Sequence, residues 1–184
     1  SDVMDYNTIA TFGNSTDFGD LTVARSATCA TGSSVRYVQG GGNNPGIETM
    51  DYVTIASTGD ATDFGDLNNG VSEGTASSSD TRGVYAGGRS GGDTLLNVID
   101  YITIASAGDA SDFGDLTSAR RMGSGASNFA RAVFYGGEEA SGAINTIDYV
   151  TIASTGNAAD FGDATAATQD IMHSSSDGHG GLQG

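Results

Sequence analysis

A chain of 184 residues with 23 acidic and 7 basic residues carries a formal charge of −16 and a pI near 4.1, a surface that repels phosphate backbones and anionic headgroups and so argues against nucleic-acid or membrane-surface partners. All seven basic residues are arginine, and a single cysteine, Cys29, excludes an intrachain disulfide and a thiolate metal cluster. The length suits one domain over 1–184, no apolar run approaches the roughly 20 residues that span a bilayer, and 29 glycines with one proline point to turns and strands rather than helices.

The chain opens on the phrase MDYNTIATFGNSTDFGDLT from Met4. It returns as MDYVTIASTGDATDFGDLN from Met50, IDYITIASAGDASDFGDLT from Ile99 and IDYVTIASTGNAADFGDAT from Ile147. The Asp-Tyr pair stands at Asp5, Asp51, Asp100 and Asp148, in steps of 46, 49 and 48 residues, a period that belongs to propeller blades or helical arrays. The repeats fall near 1–46, 47–95, 96–144 and 145–184.

In chain order, the first predicted strands are Val3 to Ala10 and Ser15 to Leu21, the third and fourth strands of a unit. The unit around the third Asp-Tyr pair shows the full set: Gly74 to Ser79, Arg82 to Ala86 before Gly87-Gly88, Val98 to Ala105, and Ser111 to Leu116. Its third strand, NVIDYITI, is apolar on both faces and has to be covered twice, as in blades stacked around an axis. Between third and fourth strands stand Gly13-Asn14, Gly59-Asp60, Gly108-Asp109 and Gly156-Asn157, pairs that predict tight hairpins with positive φ and antiparallel sister strands. The last predicted strands, Gln169 to Ser175 and His179 to Gln183, are a first and a second strand. Together with Val3 to Leu21 they complete a fourth unit, which predicts a ring closed by terminal strands sharing one sheet and leaving no free edge.

This order of strands, with Gly-Gly after the second (Gly87-Gly88, Gly136-Gly137), an Asp-Tyr third strand and an aromatic-x-x-Leu fourth (Phe64 to Leu67, Phe113 to Leu116), resembles the kelch repeat. Phe18, Phe64, Phe113 and Phe161 stand where kelch blades usually carry tryptophan. The resemblance implies an all-β fold: a four-bladed kelch-like β-propeller with four antiparallel strands per blade. The lysine-free, Gly/Ser/Thr-rich style is also similar to propeller-like repeats in tail-fibre and other virion proteins of aquatic phages, which implies a virion or extracellular location.

Several motifs bear on chemistry. Asp-Phe-Gly occurs in every unit, but a chain without lysine lacks the other parts of a kinase; the motif reads as packing, with phenylalanine between adjacent units and glycine letting backbones approach. Asp60, Asp63 and Asp66, like Asp109, Asp112 and Asp115, recur every third residue and are candidate calcium ligands, although strand alternation sets residues three apart on opposite faces. The plainer reading has them making turns and accepting backbone N–H groups. Seven residues after the phenylalanines stand Arg25, Val71, Arg120 and Thr168. The two arginines suit an anion or acidic-sugar site at a channel mouth, or else pair with aspartates such as Asp20 and Asp115. His173 and His179 lie in the last copy with no nucleophile elbow beside them.

The expected function is non-catalytic: a rigid frame presenting variable loops (Gly42 to Glu48, Arg89 to Leu96, Glu138 to Ile144) to a cell-surface glycan or a virion protein. Arg25, Arg120, Arg89, Asn43 and Asn44 are the candidate binding residues, and no cofactor is expected apart from calcium. Two alternatives are an architectural propeller that forms homo-oligomers and a galactose-oxidase-like metalloenzyme. The histidines, which are not paired across units, argue against the second.

Overall fold

The computed structural model describes residues 1–43, 46–169 and 174–176. The chain is all-β. Strands β1 (Val3–Tyr6) and β2 (Thr16–Asp20) form a two-stranded antiparallel sheet. A four-stranded antiparallel sheet follows, made in order by β3 (Cys29–Gly32), β4 (Arg36–Gly40), β5 (Ile47–Thr54) and β6 (Thr62–Val71). The next consists of β7 (Thr75–Ser78), β8 (Arg82–Ala86), β11 (Val98–Thr103) and β12 (Ser111–Asp115), with the small hairpin of β9 (Arg89–Ser90) and β10 (Thr94–Leu95) rising between its second and third members. The last repeats the pattern with β13 (Ser124–Ser127), β14 (Arg131–Tyr135), β16 (Gly142–Thr151) and β17 (Ala159–Thr168), extended by β15 (Glu138–Glu139) and by β18 (Ser174–Ser176).

The expected closure does not appear among the described residues: β1 and β2 pair only with each other, and β18 lies parallel to β13. The predicted strand His179 to Gln183 lies outside the described residues.

The expected tight hairpins are also wider than two residues. Third strands end early because the chain turns, with Ser57 N donating to Thr54 O at 3.1 Å, Ser106 N to Thr103 O at 3.0 Å and Ser154 N to Thr151 O at 3.0 Å. Asp60, Asp109 and Asn157 show no positive φ; their side chains serve the neighbouring unit instead.

The two-faced apolar pattern has the expected consequence. Val38, Met50, Phe64 and Leu67 of one sheet pack on Ala76, Tyr85, Ile102 and Ile104 of the next. On the opposite side of that sheet, Val84, Ala86, Ile99 and Phe113 pack on Ala132, Phe134, Val150 and Ile152. Adjacent residues of β8 therefore serve different layers, as strand alternation requires. Phe64 and Phe113, each 2% exposed, contribute about 1.5–3 kcal/mol apiece by leaving water. In every unit the phenylalanine is the extra residue of a β-bulge: Met50 pairs with Gly65 and Asp51 with Asp63, skipping Phe64. The bulge turns the ring edge-on to the tyrosine of the adjacent strand, with centroids 5.8–6.0 Å apart in all four copies. The expected packing of phenylalanine between adjacent units does not hold equally for the four rings, for Phe161 is 56% exposed and Phe18 half-buried.

Glycine is demanded at two places. In Asp-Phe-Gly, a Cβ on Gly19, Gly65 or Gly114 would lie 2.4–2.6 Å from the carbonyl carbon of Gly59, Gly108 or Gly156 in the next unit. Backbones touch there, with Gly59 N donating to Phe18 O, Gly108 N to Phe64 O and Gly156 N to Phe113 O at 2.6–2.7 Å. In Gly-Gly, Gly87 (φ 63°) and Gly88 (φ 97°) take left-handed backbone. They donate to Val98 O at 3.0 Å and Arg120 O at 2.8 Å, which ties the second strand's end to the third strand and to the segment after the fourth.

Candidate functional site

The arginines expected at a channel mouth point inward. Arg25 donates from Nη2 to Asp51 Oδ2 at 2.6 Å and from Nη1 to Thr49 O at 2.8 Å, with both charged side chains at 0% exposure. Arg120 pairs with Asp148 at 3.0 Å and donates to Phe134 O at 3.1 Å. Their partners are the aspartates of the Asp-Tyr strands, not Asp20 and Asp115, and neither arginine is available to an anion in solvent. Burial pulls the Arg120 guanidinium below its ordinary value while Asp148 opposes that pull. Each of these aspartates also binds the preceding unit's loop, Asp51 through Thr22 N and Oγ1 and Asp148 through Thr117 N and Oγ1.

The junction between them has no arginine. Asp100 accepts from Asn68 N at 3.1 Å and Asn68 Nδ2 at 2.6 Å. Its carboxyl sits above the usual carboxylate range, raised by burial, lowered in part by the Asn68 hydrogen bonds and raised again by Asp112. The arginine position here is Val71, which the longer β6 carries back onto β5 opposite Ile47.

The acidic triplets do not gather. Asp60 Oδ1 accepts Asp20 N and Asp109 Oδ1 accepts Asp66 N, both at 3.1 Å, and Asn157 Oδ1 does the same for Asp115 N. Asp63 and Asp112 lie opposite Asp51 and Asp100 in their sheets, while Asp66 and Asp115 lie opposite Thr49 and Val98. Among the described residues no three His, Cys, Asp or Glu side chains are grouped to hold a metal ion.

A different site forms where the chain enters the first strand of each unit. Ala27 (φ 54°), Glu73 (φ 57°) and Met122 (φ 55°) occupy the same repeat position in left-handed backbone, a conformation that costs a non-glycine residue about 1–3 kcal/mol unless its surroundings enforce it. Here they do: Glu73 N donates to Ala27 O at 2.9 Å and Met122 N to Glu73 O at 2.8 Å. This backbone ladder brings the starts of β3, β7 and β13 together around a pocket of about 330 Å³. Thr28, Cys29, Ala30 and Tyr37 line it from the first sheet, Gly74 and Thr75 from the second, Gly123 from the third.

The lining is polar and uncharged. Tyr37 is 38% exposed, and its hydroxyl donates to Gln39 Oε1 at 3.1 Å while Gln39 Nε2 donates to Thr28 Oγ1 at 2.8 Å. The buried Thr75 Oγ1 has no hydrogen-bond partner among the described residues, and a buried hydroxyl left unpaired costs about 1–3 kcal/mol. Burial pushes the Cys29 thiol up to about 12 against a smaller opposing effect of Arg25, so the sulfur is a protonated, unreactive wall.

Beside the pocket runs a charged ladder. Glu73 binds Arg89 at 2.8 Å and Arg121 at 2.9 Å, Arg121 binds Glu138 at 2.8 Å, and Arg89 binds Asp93 at 2.6 Å. Arg89, alone of the three expected arginines, therefore lies on the loop face. Asn43 (φ 65°) is there too, its N–H donated to Ser26 O at 2.7 Å; Asn44 lies outside the described residues. Sequence reading missed Tyr37, Thr75, Glu73 and Arg121. The available signal was the column eight and nine residues after each phenylalanine, where otherwise uniform repeats carry unlike side chains. No family model and no curated protein matches the chain.

Proposed function

We propose that the stacked sheets are blades of a kelch-like β-propeller and that its loop face is a non-catalytic recognition surface for a neutral cell-surface glycan. The observation that carries the reading is the pocket at the first-strand entrance. It combines a partly exposed tyrosine ring, an amide and hydroxyl chain through Gln39 and Thr28, and the Thr75 hydroxyl, unpaired among the described residues. Sugars offer that chemistry: C–H faces that lie on aromatic rings and hydroxyls that both donate and accept. The charges nearby, two arginines against Glu73, Glu138 and Asp93, leave one negative charge in excess, which disfavours an anionic ligand. A rigid frame with loops that differ from unit to unit is how binding surfaces diversify, and the acidic, lysine-free composition suits an extracellular or virion protein, with a phage fibre as the setting.

A glycan array probed with the whole chain tests the reading, followed by titration of any hit against Tyr37→Ala and Thr75→Val. Affinity is expected to fall at least tenfold in both variants with unchanged circular dichroism. An empty array, or hits that bind both variants as tightly as wild type, removes the proposal.

A further inference from the structure

Three times in this chain the trailing side of one unit meets the leading side of the next through one set of contacts. The trailing side offers the phenylalanine carbonyl, the Asp-Phe-Gly glycine and the aspartate N–H after it. The leading side answers with the loop glycine N–H (Gly59, Gly108, Gly156) and the Asp or Asn side chain beside it. Where the trailing unit has its second strand, an arginine stacked on the tyrosine of its own sheet also reaches across. Arg36 donates to Ile104 O at 3.1 Å and Arg82 to Ile152 O at 2.9 Å. Ile104 and Ile152 are each 1% exposed as a result.

The same two surfaces recur without a partner among the described residues. On the β1–β2 hairpin, Ile9 and Phe12 are fully exposed, at 102% and 110%. On β17, Phe161 is 56% exposed and a Cβ on Gly162 would meet nothing within 4 Å, where one on Gly19, Gly65 or Gly114 would strike the next unit, while Arg131 stacks on Tyr149 at 4.9 Å just as Arg36 and Arg82 stack on theirs. Ile55 shows what a missing neighbour does. The unit before it has only β1 and β2, no arginine strand, and Ile55 is 48% exposed where its equivalents are sealed.

We propose that a second copy of this chain docks head to tail, its β1–β2 hairpin on the β17 side of the first, through the contacts the chain already makes with itself. Gly13 N donates to Phe161 O, Asn14 accepts the Asp163 N–H, Arg131 reaches Ile9 O, and Ile9 and Phe161 leave water. The interface is heterologous, since different faces meet, so copies either close into a ring or extend as a fibre. The inference does not rest on the glycan reading.

Light scattering coupled to size exclusion over a concentration series reads the outcome. Wild type is expected at two or more times 18.5 kDa. Ile9→Glu and Phe161→Glu, changes at exposed positions, are each expected at monomer mass with wild-type circular dichroism. Mixed in equal amounts, the two variants are expected to restore a dimer, because each keeps the face the other has lost. A wild type that stays monomeric at high micromolar concentration overturns the proposal. So does a variant that assembles like wild type, or a mixture that remains monomeric.

Discussion

The two kinds of junction give a comparison built into one chain. Asp148→Ala strips a buried arginine of its counter-charge: Arg120 is 2% exposed at its side chain, and its partner carboxylate 0%. Breaking such a pair from one side costs about 3–5 kcal/mol, most of it the stranded charge rather than the lost attraction. Asp100→Ala deletes an equivalent carboxylate that is 3% exposed but strands no cation. Its donors are Asn68 N and Nδ2, on a surface residue that water reaches, so the cost is expected near 1 kcal/mol. Urea unfolding of both variants with a common m-value, in a buffer where the wild type is of one defined mass, measures the difference. A gap of about 2 kcal/mol or more is expected, roughly 4–8 °C in melting temperature for a chain of this length. Equal costs would mean that the arginines do not bear on the junctions, and that Thr22, Asn68 and Thr117 carry all of the Asp contribution.

Two further outcomes follow from the same geometry. Gly114→Ala is expected to cost about 1–3 kcal/mol more than Gly162→Ala, because the backbones share a positive φ while only the first Cβ would strike a neighbouring carbonyl, at 2.6 Å; equal costs in thermal melts of the monomer would refute backbone contact between units. The raised Asp100 carboxyl binds its proton more tightly folded than unfolded, so its burial penalty is present in full above the folded value. That penalty should shrink as pH falls through the folded value toward the ordinary carboxylate range near ~4. Wild type should gain stability over Asp100→Ala in that window, and a difference independent of pH would show that the carboxyl is not perturbed.

Strand identity was legible because the repeat exposes it. β8 matches its predicted range, and NVIDYITI announces a strand covered on both faces. Turn chemistry was less so. Gly-Asp between strands has the composition of a two-residue hairpin, yet the Thr-x-x-Ser turn just before it consumes the reversal and frees Asp60 and Asp109 to cap the neighbouring unit's backbone. Nothing in local sequence distinguishes an Asp that bends its own chain from one that serves another. Closure was less legible for a related reason: the strand count at the two ends is complementary, but complementarity does not say whether the matching half comes from the same molecule. Arginine alternation was visible and its meaning was not. The basic position appears where the fourth strand stops at Asp20 or Asp115, and vanishes where β6 and β17 run on to Val71 and Thr168.

The backbone ignores that difference. Gly42 N donates to Val71 O at 2.7 Å, Gly88 N to Arg120 O at 2.8 Å and Gly137 N to Thr168 O at 2.8 Å, so one hydrogen bond holds the Gly-Gly turn against the same repeat position whatever its side chain. In an array whose stability is a sum of unit and nearest-neighbour contributions, a position fixed through its carbonyl leaves its side chain free to vary. Two residues further on, Ala27, Glu73 and Met122 obey the same rule: each is held in left-handed backbone by its neighbours, and each places a different side chain next in sequence to a residue that lines the pocket. That is the arrangement a recognition surface requires, with geometry set by main-chain bonds and chemistry set by substitution. It directs a search for ligand contacts to the segments between Thr22 and Thr28, Asn68 and Thr75, and Thr117 and Ser124, rather than to the Asp-Phe-Gly strands that first catch the eye.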